Sequence, residues 1–443
     1  MKGSTAAPRH TGHATADRTV LVLAASFAAM EGFDLAVYGV TVPSLLKDPA
    51  LGANPAAAGS AGALVAVGML LGAALSAALI RRFGSRALLF GGAALFSVGM
   101  LACAVAVSSF ELFSAARFVV GVGLGIVLPT VTAYVADVSA PDRRARNVGL
   151  MMAGYAGGAL MAPLLGAALL PLVSWHWMYV VGVLPALVLL PLAAKRLPES
   201  PVTPGHVAHS GSARSGSAPS RGDLLGLKLL LAPGVRLATV LFWVVSFCGL
   251  LLVFGISTWL PTIMQAAGYS LGSALLQTAA MWTGAGIGMV LGGRLADRVG
   301  VKPVVVGAFL AGTLSLLVMS TAPSLGVLFA AMFVSGLGFI GSQVLTNAFI
   351  VTRYPDHLRG PAIGWALSVG RLGAIAGPII GGAVLASSLG VAFNFYVFAI
   401  PGVIGAALAA AVPVIRARRA TQQHTTGSAS DGVSVTAPAT EAA

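Results

Sequence analysis

The sequence predicts an all-α integral membrane protein: twelve transmembrane helices in two pseudo-symmetric six-helix bundles. Three observations lead there. Of the 443 residues 57% are hydrophobic and only 9% charged, with a mean hydropathy of +0.91. Apolar runs long enough to cross a bilayer as helices recur along the chain. The basic residues gather on one side of those runs, and the second half of the chain repeats landmarks of the first.

The runs follow one another in order. The first, 19–46, stays apolar around two acids, Glu31 and Asp34. Runs at 58–80 and 86–108 are joined by a basic turn holding Arg81, Arg82 and Arg86. The run at 110–136 contains Arg117, and Arg143, Arg144 and Arg146 mark the turn into 146–171. The sixth run, 176–194, opens at His176 and ends at Lys195 and Arg196. The second set lies at 235–260, 272–295, 303–321, 325–352, 361–386 and 391–415. Arg294, Arg298 and Lys302 mark its first basic turn, and Arg353 and Arg359 its second.

With both termini cytoplasmic, all 26 Lys and Arg residues except three fall in cytoplasmic segments. Lys47 alone is external, and Arg117 and Arg371 lie within runs. That asymmetry sets orientation by the positive-inside rule. The formal charge of +13 is therefore a topology signal, with some attraction to anionic lipid, and implies no nucleic-acid partner.

The expected organisation is a cytoplasmic tail 1–18, an N-terminal bundle 19–195, a cytoplasmic linker 196–233, a C-terminal bundle 234–415 and a disordered cytoplasmic tail 416–443. The linker is rich in Ser, Gly, Pro and His, as in His209 to Ala218. The N-terminus does not read as a cleaved signal peptide, because residues 1–18 are polar and the following run is too long and contains acids. Cys103 and Cys248 both fall in apolar runs, so no disulfide framework is implied. None of the seven histidines sits near the middle of a run, which makes histidine a poor proton relay here.

The halves repeat at a constant offset. Phe118, Val119, Gly121 and Gly123 correspond to Phe333, Val334, Gly336 and Gly338. Arg144, Gly149, Gly158, Pro163 and Gly166 correspond to Arg359, Gly364, Gly373, Pro378 and Gly381. One residue further, Arg82 and Gly84 correspond to Arg298 and Gly300. Two bundles related by an axis along the membrane normal, with a site between them at the midplane, is a transporter architecture.

Charges inside the runs are the candidate chemistry. A charge at mid-membrane costs roughly 2.5–3.5 kcal/mol on insertion scales, so such groups usually serve a function. Glu31 and Asp34 share one helical face, and Tyr38 continues it. Two carboxylates so close cannot both ionise cheaply in a low-dielectric site, which makes the pair a candidate proton carrier, with Asp34 first and Glu31 as partner. A structural pair held by neighbouring polar groups is the bland alternative. Arg371 lies about ten residues, or ~15 Å, into the eleventh run. Its planar fork suits a substrate carboxylate, or it neutralises one of the acids. Gln343 and Asn347 share a face of the tenth run, suited to orienting a ring hydroxyl or a carboxylate, or to interhelical hydrogen bonding. Phe33, Tyr38, Tyr155, Trp259 and Trp365 are candidates to flank an aromatic ring, though aromatics in membrane helices more often pack. Gly121 and Gly125, and Gly373, Gly377 and Gly381, recur every four residues and read as close helix packing. No nucleophile–base pattern, metal-ligand cluster or phosphate-binding loop is present, so neither an enzyme nor a metal site is expected.

Several stretches resemble known patterns. Gly293-Arg294-Leu295-Ala296-Asp297-Arg298-Val299-Gly300-Val301-Lys302 resembles the GxxxDRxGxK signature of the major facilitator superfamily, whose members use that loop as a conformational latch. Gly293, Asp297, Arg298 and Gly300 are the latch candidates. The first-half counterpart, Ala77 to Arg86, departs from the pattern by lacking the leading glycine and the acid. Glu31-Gly32-Phe33-Asp34 resembles the first-helix DGxD pattern of the aromatic acid:proton symporter branch, with glutamate in the first acidic position. The stretch from Gly364 through Trp365, Gly370, Arg371, Gly373, Gly377 and Pro378 to Gly382 resembles that branch's eleventh-helix signature. Arg117 begins a stretch similar to the superfamily's RxxxG pattern, which implicates it in proton coupling, with a helix-anchoring ion pair as the alternative. Leu197 to Pro201 and Thr258 to Pro261 are similar to stretches shared with sugar and metabolite porters.

The resemblance implies a major facilitator fold. It also implies a monomeric, proton-coupled secondary transporter that imports an aromatic carboxylate of the benzoate or hydroxybenzoate type by alternating access. It would reside in a bacterial inner membrane, with protons as the driving force and no cofactor. Tyr38, Arg371, Gln343, Asn347 and Trp365 would bind the substrate, and Asp34, Glu31 and Arg117 would couple the proton. Symport of another organic anion, a nicotinate-like compound or a sugar is the alternative. A drug:proton exporter fits less well, because the fifth run places Ala162 where exporters of the superfamily carry a glycine before Pro163.

Overall fold

A computed structural model describes residues 13–140, 143–197 and 226–413. Among these residues twelve helices are long and apolar enough to span a membrane. They are α1 Arg18–Leu45, α2 Pro55–Ile80, α3 Arg82–Val105, α4 Phe110–Val138, α5 Arg146–Leu169 and α6 His176–Arg196, then α7 Arg236–Ala266, α8 Leu271–Val299, α9 Val301–Ser320, α10 Leu325–Arg353, α11 Asp356–Ala386 and α12 Val391–Ala411. The tail before residue 13, most of the expected linker (198–225) and the tail 416–443 lie outside the described residues, as does Pro198 to Pro201. The far end of the linker segment contains a short helix, Leu227–Leu230. Its Leu230 carbonyl accepts from Thr239 Oγ1 at 2.8 Å, and that hydroxyl also meets Tyr354 Oη at 2.7 Å.

Local chemistry sets the helix starts. Asn54 caps α2 by accepting from the Ala57 N–H at 2.8 Å, with Pro55 in the first turn where its missing donor costs nothing. Ser109 and Ser270 cap α4 and α8 in the same way. The chain bends at a glycine of positive φ at the start of α3 and again between α8 and α9, Gly84 at φ 78° and Gly300 at φ 91°. Only glycine adopts such angles without strain, so the repeat read from the sequence is also a repeat of backbone conformation. One difference breaks it: Gly336–Ile340 in α10 is a π-helical segment, whereas the matching stretch from Gly121 in α4 stays α-helical.

Within each half, helix pairs are knitted by glycines. Gly154 and Gly158 of α5 lie against the backbone of Ala25 and Ala29 in α1, and Gly32 lies against Tyr155. Gly373 and Gly377 of α11 lie against Phe247 and Leu251 in α7. Lipid gives helices no hydrophobic reason to associate, so this close backbone approach supplies the van der Waals contact that holds them.

The halves meet through α1 with α7, α2 with α11 and α5 with α8. Much of the contact lies toward the end of the molecule that carries Lys47. There Gly39 faces Ser257 and Thr258, Gly59 faces Pro378 and Gly382, and Lys47 Nζ donates to Gln265 Oε1 at 3.2 Å.

Candidate functional site

The two acids of α1 face the bundle interior. Asp34 is 0% exposed and Glu31 2%. Arg117, 2% exposed on α4, donates from Nη1 to Asp34 Oδ1 at 2.6 Å, and its guanidinium carbon sits 4.9 Å from the centre of the Tyr38 ring. The pair therefore combines a charge-assisted hydrogen bond with a cation–π contact. Tyr38 spends its hydroxyl elsewhere, donating to the Ala58 carbonyl of α2 at 2.6 Å. Asp34 Oδ2, Glu31 Oε2 and Arg117 Nε are buried without a hydrogen-bond partner among the described residues. Removing one member of such a pair typically costs about 3–5 kcal/mol, because the other charge is left uncompensated.

The opposite half contributes the counter-charge. Arg371, partly buried on α11, interacts electrostatically with Glu31 rather than with Asp34. One ion pair thus lies within the N-terminal half, and a second attraction spans the two halves. Below the Tyr38–Arg117 contact, Thr41 Oγ1 and Tyr179 Oη lie 2.9 Å apart, tying α1 to α6.

A small pocket opens beside these groups. Glu31, Asp34, Tyr38 and Arg117 line it together with Tyr155, and the C-terminal half adds Phe254 and Thr258. Arg371, Gln343, Asn347 and Trp365 are not among its lining residues. Gln343 and Asn347 stand on α10, with both polar atoms of Gln343 and Asn347 Oδ1 buried and without a partner among the described residues. Trp365 packs on Trp243 of α7, ring centres 5.9 Å apart. Two aromatic candidates are structural: Trp259 is fully buried with Nε1 donating to the Pro378 carbonyl at 2.8 Å, and Phe33 packs on Gly182 inside the N-terminal half.

The structure places Gly293, Asp297 and Arg298 in the last turns of α8 and not in a loop after it; Asp297 and Arg298 are exposed and Gly293 is partly buried. The Gly300 N–H closes α8 onto the Ala296 carbonyl at 2.9 Å, and Lys302 Nζ donates to the Val412 carbonyl at the end of α12. No group of three or more His, Cys, Asp or Glu side chains among the described residues is arranged to hold a metal.

Sequence reasoning missed most of the cavity wall. Met69, Val65, Leu124 and Phe254 line it but read as ordinary membrane-helix residues. Thr258 was visible only as part of the Thr258 to Pro261 stretch.

The chain matches the Major Facilitator Superfamily over residues 24–292 and 271–441. It is 31% identical over 414 residues to a benzoate transport protein of Acinetobacter baylyi, covering 87% of each chain. It is 34% identical over 385 residues to a gentisate transporter of Corynebacterium glutamicum, covering 86% of this chain and 84% of the relative. The fold matches the crystal structure of a D-xylose-proton symporter with a TM-score of 0.74 at 20% identity, covering 88% of this chain and 97% of that one. The chain belongs to the Major Facilitator Superfamily and is a multi-pass membrane transporter rather than an enzyme.

Proposed function

We propose that this transporter carries an aromatic carboxylate of the benzoate or hydroxybenzoate type into a bacterial cell together with protons, by alternating access. It works as a monomer in the inner membrane with both termini cytoplasmic. The observation that carries the reading is the buried charge at the pocket: Asp34 is committed to Arg117 within one half, and Glu31 lines the same pocket beside them. Two acids and two arginines sum to zero when all are ionised. An arriving carboxylate adds one negative charge, which proton uptake on Asp34 or Glu31 removes, so anion and proton travel together at the lowest electrostatic cost. Arg371 takes the carboxylate, Tyr38, Trp365, Gln343 and Asn347 surround the ring, and Arg117 senses the protonation of Asp34.

The relatives named for benzoate and gentisate support the cargo, since both compounds join a carboxylate to an aromatic ring. The contacts at the Lys47 end support an inward-facing state. In that state the latch residues Asp297 and Arg298, exposed at the other end, are disengaged.

The test is uptake of labelled benzoate and hydroxybenzoates into proteoliposomes under an imposed pH gradient. Accumulation should follow the inward proton gradient and collapse with an uncoupler. Electroneutral one-to-one coupling predicts that a membrane potential alone drives none. Saturable uptake of a sugar with no aromatic acid moved would overturn the assignment.

A further inference from the structure

Ten uncharged polar side chains in the C-terminal half have buried hydrogen-bonding atoms with no partner among the described residues, and four of them stand on two neighbouring stripes: Trp243 Nε1, Ser246 Oγ, both side-chain polar atoms of Gln343 and Asn347 Oδ1. Trp243 and Ser246 stand three apart on one stripe of α7, and Gln343 and Asn347 stand four apart on one stripe of α10. The stripes meet, because Gln343 Oε1 rests against Gly249, one turn beyond Ser246, where the missing side chain makes room for the amide. Gly370, the residue before Arg371, packs on the same turn of α7: a Cβ added there would lie 3.1 Å from the Ser246 carbonyl. Arg371 therefore emerges level with this cluster, and Trp365 closes its side against Trp243.

We infer that these four residues form a hydroxyl-reading subsite beside Arg371, and that the cargo is a ring-hydroxylated aromatic acid rather than unsubstituted benzoate. The inference rests on the proposed function and narrows it. The cluster presents an indole N–H and an amide NH2 as donors, amide oxygens as acceptors, and a serine hydroxyl that serves as either. A phenolic hydroxyl donates once and accepts once, so it is suited to such a set. None of the four is charged, so a carboxylate gains more at Arg371 and the ring is oriented carboxylate-first. An unsubstituted ring leaves the buried polar atoms unpaired, and a site built to bond a hydroxyl rejects the analogue lacking it far more strongly than an apolar pocket rejects a missing methylene. The positions that repeat Gln343 and Asn347 in the first half are Leu128 and Thr132, so the amide pair belongs to one half alone.

The experiment compares benzoate, 3-hydroxybenzoate, 4-hydroxybenzoate and gentisate as substrates of the full-length protein in proteoliposomes, each by kcat/KM for uptake. At least one hydroxylated acid should exceed benzoate by about tenfold or more. Gln343→Leu and Asn347→Leu should each lower hydroxylated-acid uptake more than benzoate uptake, so that the ratio falls toward one; a purely structural defect would lower both alike. Wild-type protein that moves benzoate as well as every hydroxylated acid would overturn the subsite while leaving the aromatic-acid reading intact. A strong wild-type preference that survives in both variants would overturn the residue assignment. Failure to move any of the four acids, with uptake of another solute, would instead defeat the proposed function.

Discussion

Asp34 is held by a single short bond to Arg117 while its second oxygen has no partner among the described residues, so its charge is compensated on one side only. Asp34→Asn keeps the shape and removes the titration. It should abolish proton-driven accumulation in proteoliposomes while sparing exchange of labelled for unlabelled substrate, and normal accumulation would remove Asp34 from coupling. Arg371→Lys should raise the apparent KM or stop transport, because a point charge does not reproduce a planar two-pronged donor; wild-type kinetics would rule out bidentate recognition. At this scale the sequence was most legible where chemistry is expensive. Acids and arginines inside apolar runs must face one another or a cavity, and Glu31, Asp34 and Arg117 do so. The aromatic candidates were not separable in advance, since a tryptophan that bonds a carbonyl (Trp259) and one that packs on another tryptophan (Trp365) look alike in sequence.

Helix packing depends on whether a glycine faces another backbone or open space. Gly158 of α5 lies against the backbone of Ala29, whereas nothing stands within 4 Å of a side chain placed at its neighbour Gly157. Gly158→Ala should therefore lower the melting temperature in detergent, at a cost of about 1–3 kcal/mol from overpacking, while Gly157→Ala leaves it unchanged. Equal effects at the two positions would show that the α1–α5 approach is not tight. The twelve spans were readable because each is an apolar run bounded by charged or turn-forming residues. The π-helical segment at Gly336–Ile340 was not. Its glycines repeat those of α4 and pack in the corresponding way, Gly336 on α8 and Gly338 on α9, so neither the glycine pattern nor the packing it implies signals the π-helical turn.

Across the whole molecule, the two halves are closed on each other toward the Lys47 end, where Gly59 of α2 and Gly382 of α11 approach closely. A protein carrying Lys47→Cys and Gln265→Cys, whose native side chains bond across this end, should be cross-linked by a short reducible thiol-directed reagent, lose transport and recover it on reduction; unimpaired transport by the cross-linked protein would show that this end need not open. Cys103 and Cys248 are both buried and should not interfere. The two-bundle architecture was legible from the repeat, but the face on which the bundles touch was not, because small residues serve packing inside a bundle and between bundles alike. The bond from Tyr38 to the Ala58 carbonyl joins these scales. Ala58 adjoins the Gly59 contact, so any movement of α2 away from α11 would pull on the ring against which the Arg117 guanidinium rests.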